Sequence, residues 1–103
     1  MIRHCVLVNF KGSVTAAERE AIYDGLRALK HKVDGLVADH YGPNVSPEGL
    51  AQGYADGFTM DFRDEAARDA YLIHPDHQAA GAKLVAALEG GIGGLIVFDM
   101  VVG

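Results

Sequence analysis

The chain carries a single cysteine, Cys5, and this excludes an internal disulfide framework. Inside an apolar strand, that cysteine reads as a small core residue. Long apolar runs are missing too. The opening MIRHCVLVNF is too short to span a membrane and lacks the small-residue cleavage site of a signal peptide. Both features fit a reducing cytoplasm. Cations are few, with nine Lys and Arg against fourteen Asp and Glu and a formal net charge of −5. A small nucleic-acid binder would show a basic face. The only basic cluster, Lys30-His31-Lys32, reads as the end of a helix, where cations complement the dipole. Neither nucleic acid nor membrane is therefore an expected partner. The glycines at 90, 91, 93 and 94 precede a strand with no Lys-Ser/Thr after them, so they do not form a phosphate loop.

What is present is the patterning of one ordinary globular domain, 1–103. Ile2 to Phe10 reads as a strand, with Ile2, His4, Val6, Val8 and Phe10 on one face. Thr15 and Glu18 form a capping box. The helix they open is expected to reach Val33, with Ile22, Leu26, Leu29 and Val33 as its buried stripe. Leu36 to Tyr41 is a short strand, and 42–53 is a loop rich in proline and glycine. Tyr54 to Phe62 is a third strand. Asp64 caps a short helix over Glu65 to Leu72, and His74-Pro75 opens another that buries Ala79, Leu84, Val85 and Leu88. Leu95 to Val102 is an apolar strand suited to cover on both faces or to a subunit contact. The order β-α-β-β-α-β is the ferredoxin-like split βαβ motif of an α+β protein. Its helices cover one sheet face, and the apolar residues of the other face call for a partner. A second copy packed sheet to sheet would close a dimeric α/β barrel.

Several residues then carry a resemblance. Met1-Ile2-Arg3-His4 runs into the first strand, and Ser46-Pro47-Glu48-Gly49-Leu50 is followed by Gly53-Tyr54. Asp69-Ala70-Tyr71-Leu72-Ile73-His74-Pro75-Asp76-His77 and Val97-Phe98-Asp99 complete the pattern. Together they resemble the stress-responsive dimeric α/β-barrel (Dabb) family over nearly the whole chain, most specifically through Tyr-x-x-His-Pro-x-His. The resemblance implies a ferredoxin-like protomer, a homodimer, and membership beside plant stress proteins and a plant polyketide cyclase that makes olivetolic acid. The cyclase's tyrosine and histidine fall on Tyr71 and His77, and a first-strand histidine on His4. Where the cyclase has a histidine on the third strand, this chain has Asp56.

The chemistry of those side chains can be stated. If the His74-Pro75 turn folds the chain back, Tyr71 and His77 face one pocket. His77 is then a candidate general base and Tyr71 a candidate hydrogen-bond donor to a carbonyl or oxyanion. Such chemistry requires no metal and no organic cofactor. His4, Asp56 and His74 are candidate ligand-binding residues: Asp56 could orient His4 or His77, and His74 also fits an N-cap before Pro75. No histidine pair has the i, i+4 spacing of two metal ligands on a helix face. Three functions follow as expectations. The first is a dimeric protein that binds a small hydrophobic or polyketide-like molecule, and the second a cofactor-free cyclase or lyase. The third is a structural assembly protein.

Overall fold

The computed structural model describes residues 1–103. The elements run β1 (Ile2–Val8), α1 (Ala16–Arg27), β2 (Leu36–Pro43), β3 (Asp56–Phe62), α2 (Glu65–Ile73), α3 (Pro75–Ala86) and β4 (Leu95–Val101). The strands form one antiparallel sheet in the order β2-β3-β1-β4. This is the ferredoxin-like arrangement that the element order predicts. No helix is long and apolar enough to cross a membrane.

Local chemistry sets most of the boundaries. The Thr15 hydroxyl accepts from the Glu18 amide and the Glu18 carboxylate accepts from the Thr15 amide, both at 3.1 Å. These two bonds satisfy amides that would otherwise be left open at a helix start. α1 stops at Arg27, short of the expected Val33, because the chain tightens into a 3₁₀ turn over Ala28–His31. Leu26, Leu29 and Val33 are still buried, whereas Ile22 is only partly so and Tyr23 takes the deeper place. At Gly35 the backbone turns with φ +89°, and a Cβ there would meet that of Ala67 at 2.6 Å. Only glycine meets both demands. His74 ends α2 and starts α3: its amide donates to the Tyr71 carbonyl at 3.1 Å, and its Nδ1 accepts from the Asp76 amide at 3.0 Å.

The helices cover the sheet face that carries Ile2, Val6 and Val8 of β1 with Phe58, Met60 and Phe62 of β3. Leu26 and Leu29 pack onto it from the α1 side, Tyr71 from α2 and Leu84 from α3. Two details differ from the sequence pattern. Ala79 is exposed and Ala80 packs on the core instead, a shift of one residue in the phase of α3. β1 also ends at Val8, leaving Phe10 in an isolated bridge to Leu88.

The opposite sheet face carries Arg3, Cys5 and Leu7 of β1 beside Met100, Phe98 and Ile96 of β4. No helix covers it, and Phe98 is 59 % exposed. β4 is open toward the helices too, where Val101 is 79 % exposed. Within one protomer this strand is therefore not covered on both faces. Its apolar sequence fits the other expectation, a subunit contact.

Candidate functional site

A cavity of about 490 Å³ lies between the sheet and the α2–α3 pair. Its walls include Val6, Leu26, Phe58, Val85 and Leu95, and its polar side chains are His4, Tyr71, His77 and Gln78. Tyr71 stands in the last turns of α2 and His77 in the first turn of α3. The His74-Pro75 elbow turns the chain back between them, so the rings lie 4.2 Å apart between centroids at 45°.

The hydrogen bonds fix how His77 presents itself. Its Nδ1 lies 3.1 Å from the Leu72 carbonyl. A carbonyl only accepts, so Nδ1 carries the hydrogen and Nε2 is left as a bare acceptor. Burial pushes the His77 titration below its ordinary 6.5, the bond to the Leu72 carbonyl opposes that shift, and nearby His4 and His74 add to it. Burial also pushes the Tyr71 hydroxyl well above its ordinary range. Near neutral pH the pair is thus a neutral imidazole acceptor beside a phenol that holds its proton.

His4 approaches from β1 and is buried. Its ring meets that of Tyr71 edge-on at 5.9 Å. The β1–β4 register sets His4 opposite Asp99, and His4 Nδ1 lies 2.6 Å from Asp99 Oδ1. Arg68 Nη1 donates to Asp99 Oδ2 at 2.8 Å. Burial pushes the Asp99 carboxyl up, but its bonds to Arg68 and His4 outweigh burial and hold it below the usual carboxylate range. Tyr23 carries the only buried side-chain oxygen or nitrogen that is sealed and unpartnered. Nε2 of His4 and His77 and the Tyr71 hydroxyl are not sealed in this way, and all three residues line the cavity.

The structure does not bring the other two candidates here. Asp56 sits at the far end of β3, opposite Val8. It borders a second hollow of about 440 Å³ with His40 and Tyr54. It cannot orient His4, which faces Met60 and Asp99; Asp99 takes that position. His74 caps α3 and is absent from the cavity wall. In the sequence Asp99 figures only within the Val97-Phe98-Asp99 stretch, with no role of its own, and Arg68 does not figure at all. Alternation along Leu95, Val97 and Asp99 was the available signal, since it puts the carboxylate on the helix side of β4. No group of three His, Cys, Asp or Glu side chains is placed to hold a metal ion.

The lowered His77 titration has a consequence for stability. Between the folded value and 6.5 the unfolded chain binds the extra proton. Stability therefore falls as pH drops below about 6.5. Urea unfolding at about pH 7.5 and about pH 5.5, on either side of the ordinary imidazole value, should show a larger loss for the wild type than for His77→Gln. Equal losses would mean that His77 is not held neutral by burial.

Residues 2–102 match the model of the stress responsive A/B barrel domain. The chain belongs to this family. Relatives within the A/B barrel family include the stress-response A/B barrel domain-containing protein HS1 of Arabidopsis thaliana, 33 % identical over 76 residues that cover 74 % of this chain and 70 % of HS1. The olivetolic acid cyclase of Cannabis sativa is 22 % identical over 80 residues, covering 78 % of this chain and 79 % of the cyclase. Among solved structures, a dimeric ferredoxin-like protein of unknown function from Jannaschia sp. CCS1 superposes with a TM-score of 0.90 at 35 % identity, covering 98 % of both chains.

Proposed function

We propose that this A/B barrel protein is a homodimer that binds an uncharged, mainly apolar small molecule in the cavity under α2 and α3, with the polar end of the ligand at Tyr71 and His77. One observation carries this reading: the rings of two complementary polar side chains lie 4.2 Å apart between centroids in a cavity whose lining is otherwise mostly apolar. Few convergent polar groups in an apolar hollow are the usual make-up of a small-molecule site. No Lys, Arg, Asp or Glu lines it, which argues for an uncharged ligand. The open apolar sheet face and the dimeric relative from Jannaschia support the homodimer. A cytoplasmic, stress-related role fits the family and the free Cys5.

The bare Nε2 of His77 favours a second reading, a cofactor-free cyclase or lyase. His77 Nε2 would take a proton from carbon next to a ligand carbonyl, and the Tyr71 O–H would stabilise the enolate oxygen formed. The electron pair left on carbon would then attack a second carbonyl within the same ligand, breaking its π bond, and the alkoxide formed would take back the proton held on His77 Nε2. A purely structural role leaves the cavity and its paired side chains unexplained.

Native mass spectrometry of the freshly purified protein, followed by denaturation, tests the binding reading. The expected result is a dimer that releases a neutral organic molecule, or that takes up one from a panel of alkyl phenols and aryl ketones. His77→Gln should weaken that uptake about tenfold, the worth of one well-placed hydrogen bond. An empty dimer that takes up nothing from the panel would overturn it.

A further inference from the structure

We propose that Arg68 is a positioning residue: by holding the outer oxygen of Asp99, it fixes His4 in a single tautomer with Nε2 turned to the cavity as an acceptor. The chain of contacts runs from the surface inward. Arg68 Nη1 donates to Asp99 Oδ2 at 2.8 Å, and Asp99 Oδ1 lies 2.6 Å from His4 Nδ1. A carboxylate can only accept, so Nδ1 carries a hydrogen, and in the neutral ring Nε2 is then the free nitrogen.

Arg68 is the part of this chain whose role is not obvious. A carboxylate held at one oxygen can swing about its side-chain bonds, and Asp99 is near enough to solvent for water to compete. A second, charge-assisted bond at the other oxygen removes that freedom. Arg68 is itself braced, since its Nε donates to Asp69 Oδ1 at 2.9 Å. The arrangement follows the logic by which a partner on one ring nitrogen sets what the other can do. The groups that face His4 are few. Asp99 comes from β4, Arg68 and Tyr71 from α2, and His77 from α3. β3 supplies apolar Met60 and Phe62. Asp99 is the one group among them that bonds His4, so control of Asp99 is control of its tautomer.

The consequence for function rests on the proposed cavity. With His4 and His77 both presenting bare Nε2 atoms and Tyr71 presenting O–H, the site offers two acceptors and one donor. A ligand with two hydroxyl or enol groups and one carbonyl would match all three.

Imidazole ¹⁵N and ¹H NMR of the unliganded dimer tests Arg68 without any ligand, so its outcome is independent of the binding proposal. At about pH 8, above the ordinary imidazole range, the wild type should show His4 as the Nδ1–H tautomer with a slowly exchanging downfield proton. Arg68→Leu should mix the tautomers and speed exchange of that proton about tenfold, the factor a typical hydrogen bond is worth. Arg68→Lys should restore part of the signal, as a point charge lacking the guanidinium fork. Arg68→Gln provides a neutral hydrogen-bonding variant should the leucine variant fail to fold, and it should lie between leucine and lysine. An unchanged His4 signature in a folded Arg68→Leu or Arg68→Gln protein would overturn the proposal.

Discussion

Replacing Phe98 with glutamate is expected to turn the proposed dimer into a monomer. Phe98 projects from β4 onto the sheet face that no helix covers, between Ile96 and Met100 and opposite Cys5. In one protomer it is more than half exposed, so the substitution costs the isolated fold little. At a sheet-to-sheet contact the same carboxylate would lose its water without gaining a partner. The guanidinium on that face, Arg3, is already held by Asp61 through two bonds of 2.8 and 3.1 Å. Burying an unpaired charge costs several kcal/mol even after relaxation, and a two-fold axis would bring two of them in. About 3 kcal/mol corresponds to roughly a hundredfold weaker association. Sedimentation velocity over a dilution series reads this directly, with Ala17→Glu on the exposed start of α1 as the control. A Phe98→Glu protein that stays dimeric would remove this face from the interface.

Tyr71 separates packing from chemistry in a pair of variants. The residue is 1 % exposed and its ring touches those of His77 and Phe62, with centroids at 4.2 and 5.0 Å. Tyr71→Ala empties that volume and should cost about 3–5 kcal/mol of stability, the range for truncating a buried aromatic. For a chain of this size that lowers Tm by on the order of 15 °C. Tyr71→Phe keeps the ring and removes only a hydroxyl that bonds to no protein group. Its stability should stay within about 1 kcal/mol of the wild type, while its affinity for the ligand should fall about tenfold. Urea unfolding beside ligand titration of both variants gives the comparison. If Tyr71→Phe were as unstable as Tyr71→Ala, the hydroxyl would belong to the core and not to the site.

Local features of this fold were legible in the sequence and long-range register was not. The caps at Thr15, Asp64 and His74 are written within three residues of the helices they start, and the structure forms all three. Period-two alternation gave the inward faces of β1 and β3. The bulge between Leu36 and Ala38 leaves no such trace; it reverses the alternation of β2 and turns Asp39 toward the helices, where the Tyr41 hydroxyl donates to it at 3.1 Å. Tyr71 and His77 were found through the resemblance, whose Tyr-x-x-His-Pro-x-His pattern lies in one short stretch of chain. The partners of His4 were not, because His4 and Asp99 stand 95 residues apart. Only the register of the first strand against the last joins them. Asp56 stands where the resemblance places a third-strand histidine and could have oriented His4, yet along β3 it is four residues from Met60, the position opposite His4.

The elbow at His74 also works as a ruler. One residue ends α2 and begins α3, so the backbone separation of Tyr71 and His77 is set by the main chain of the elbow. The remaining walls, among them Val85 and Leu95, belong to separate elements that can change size without moving that pair. A scaffold divided in this way would keep the polar end of the proposed site constant while the molecule it accepts changes. Altered ligand preference should therefore be sought by resizing Val85 or Leu95, with the Tyr71–His77 distance left as it is.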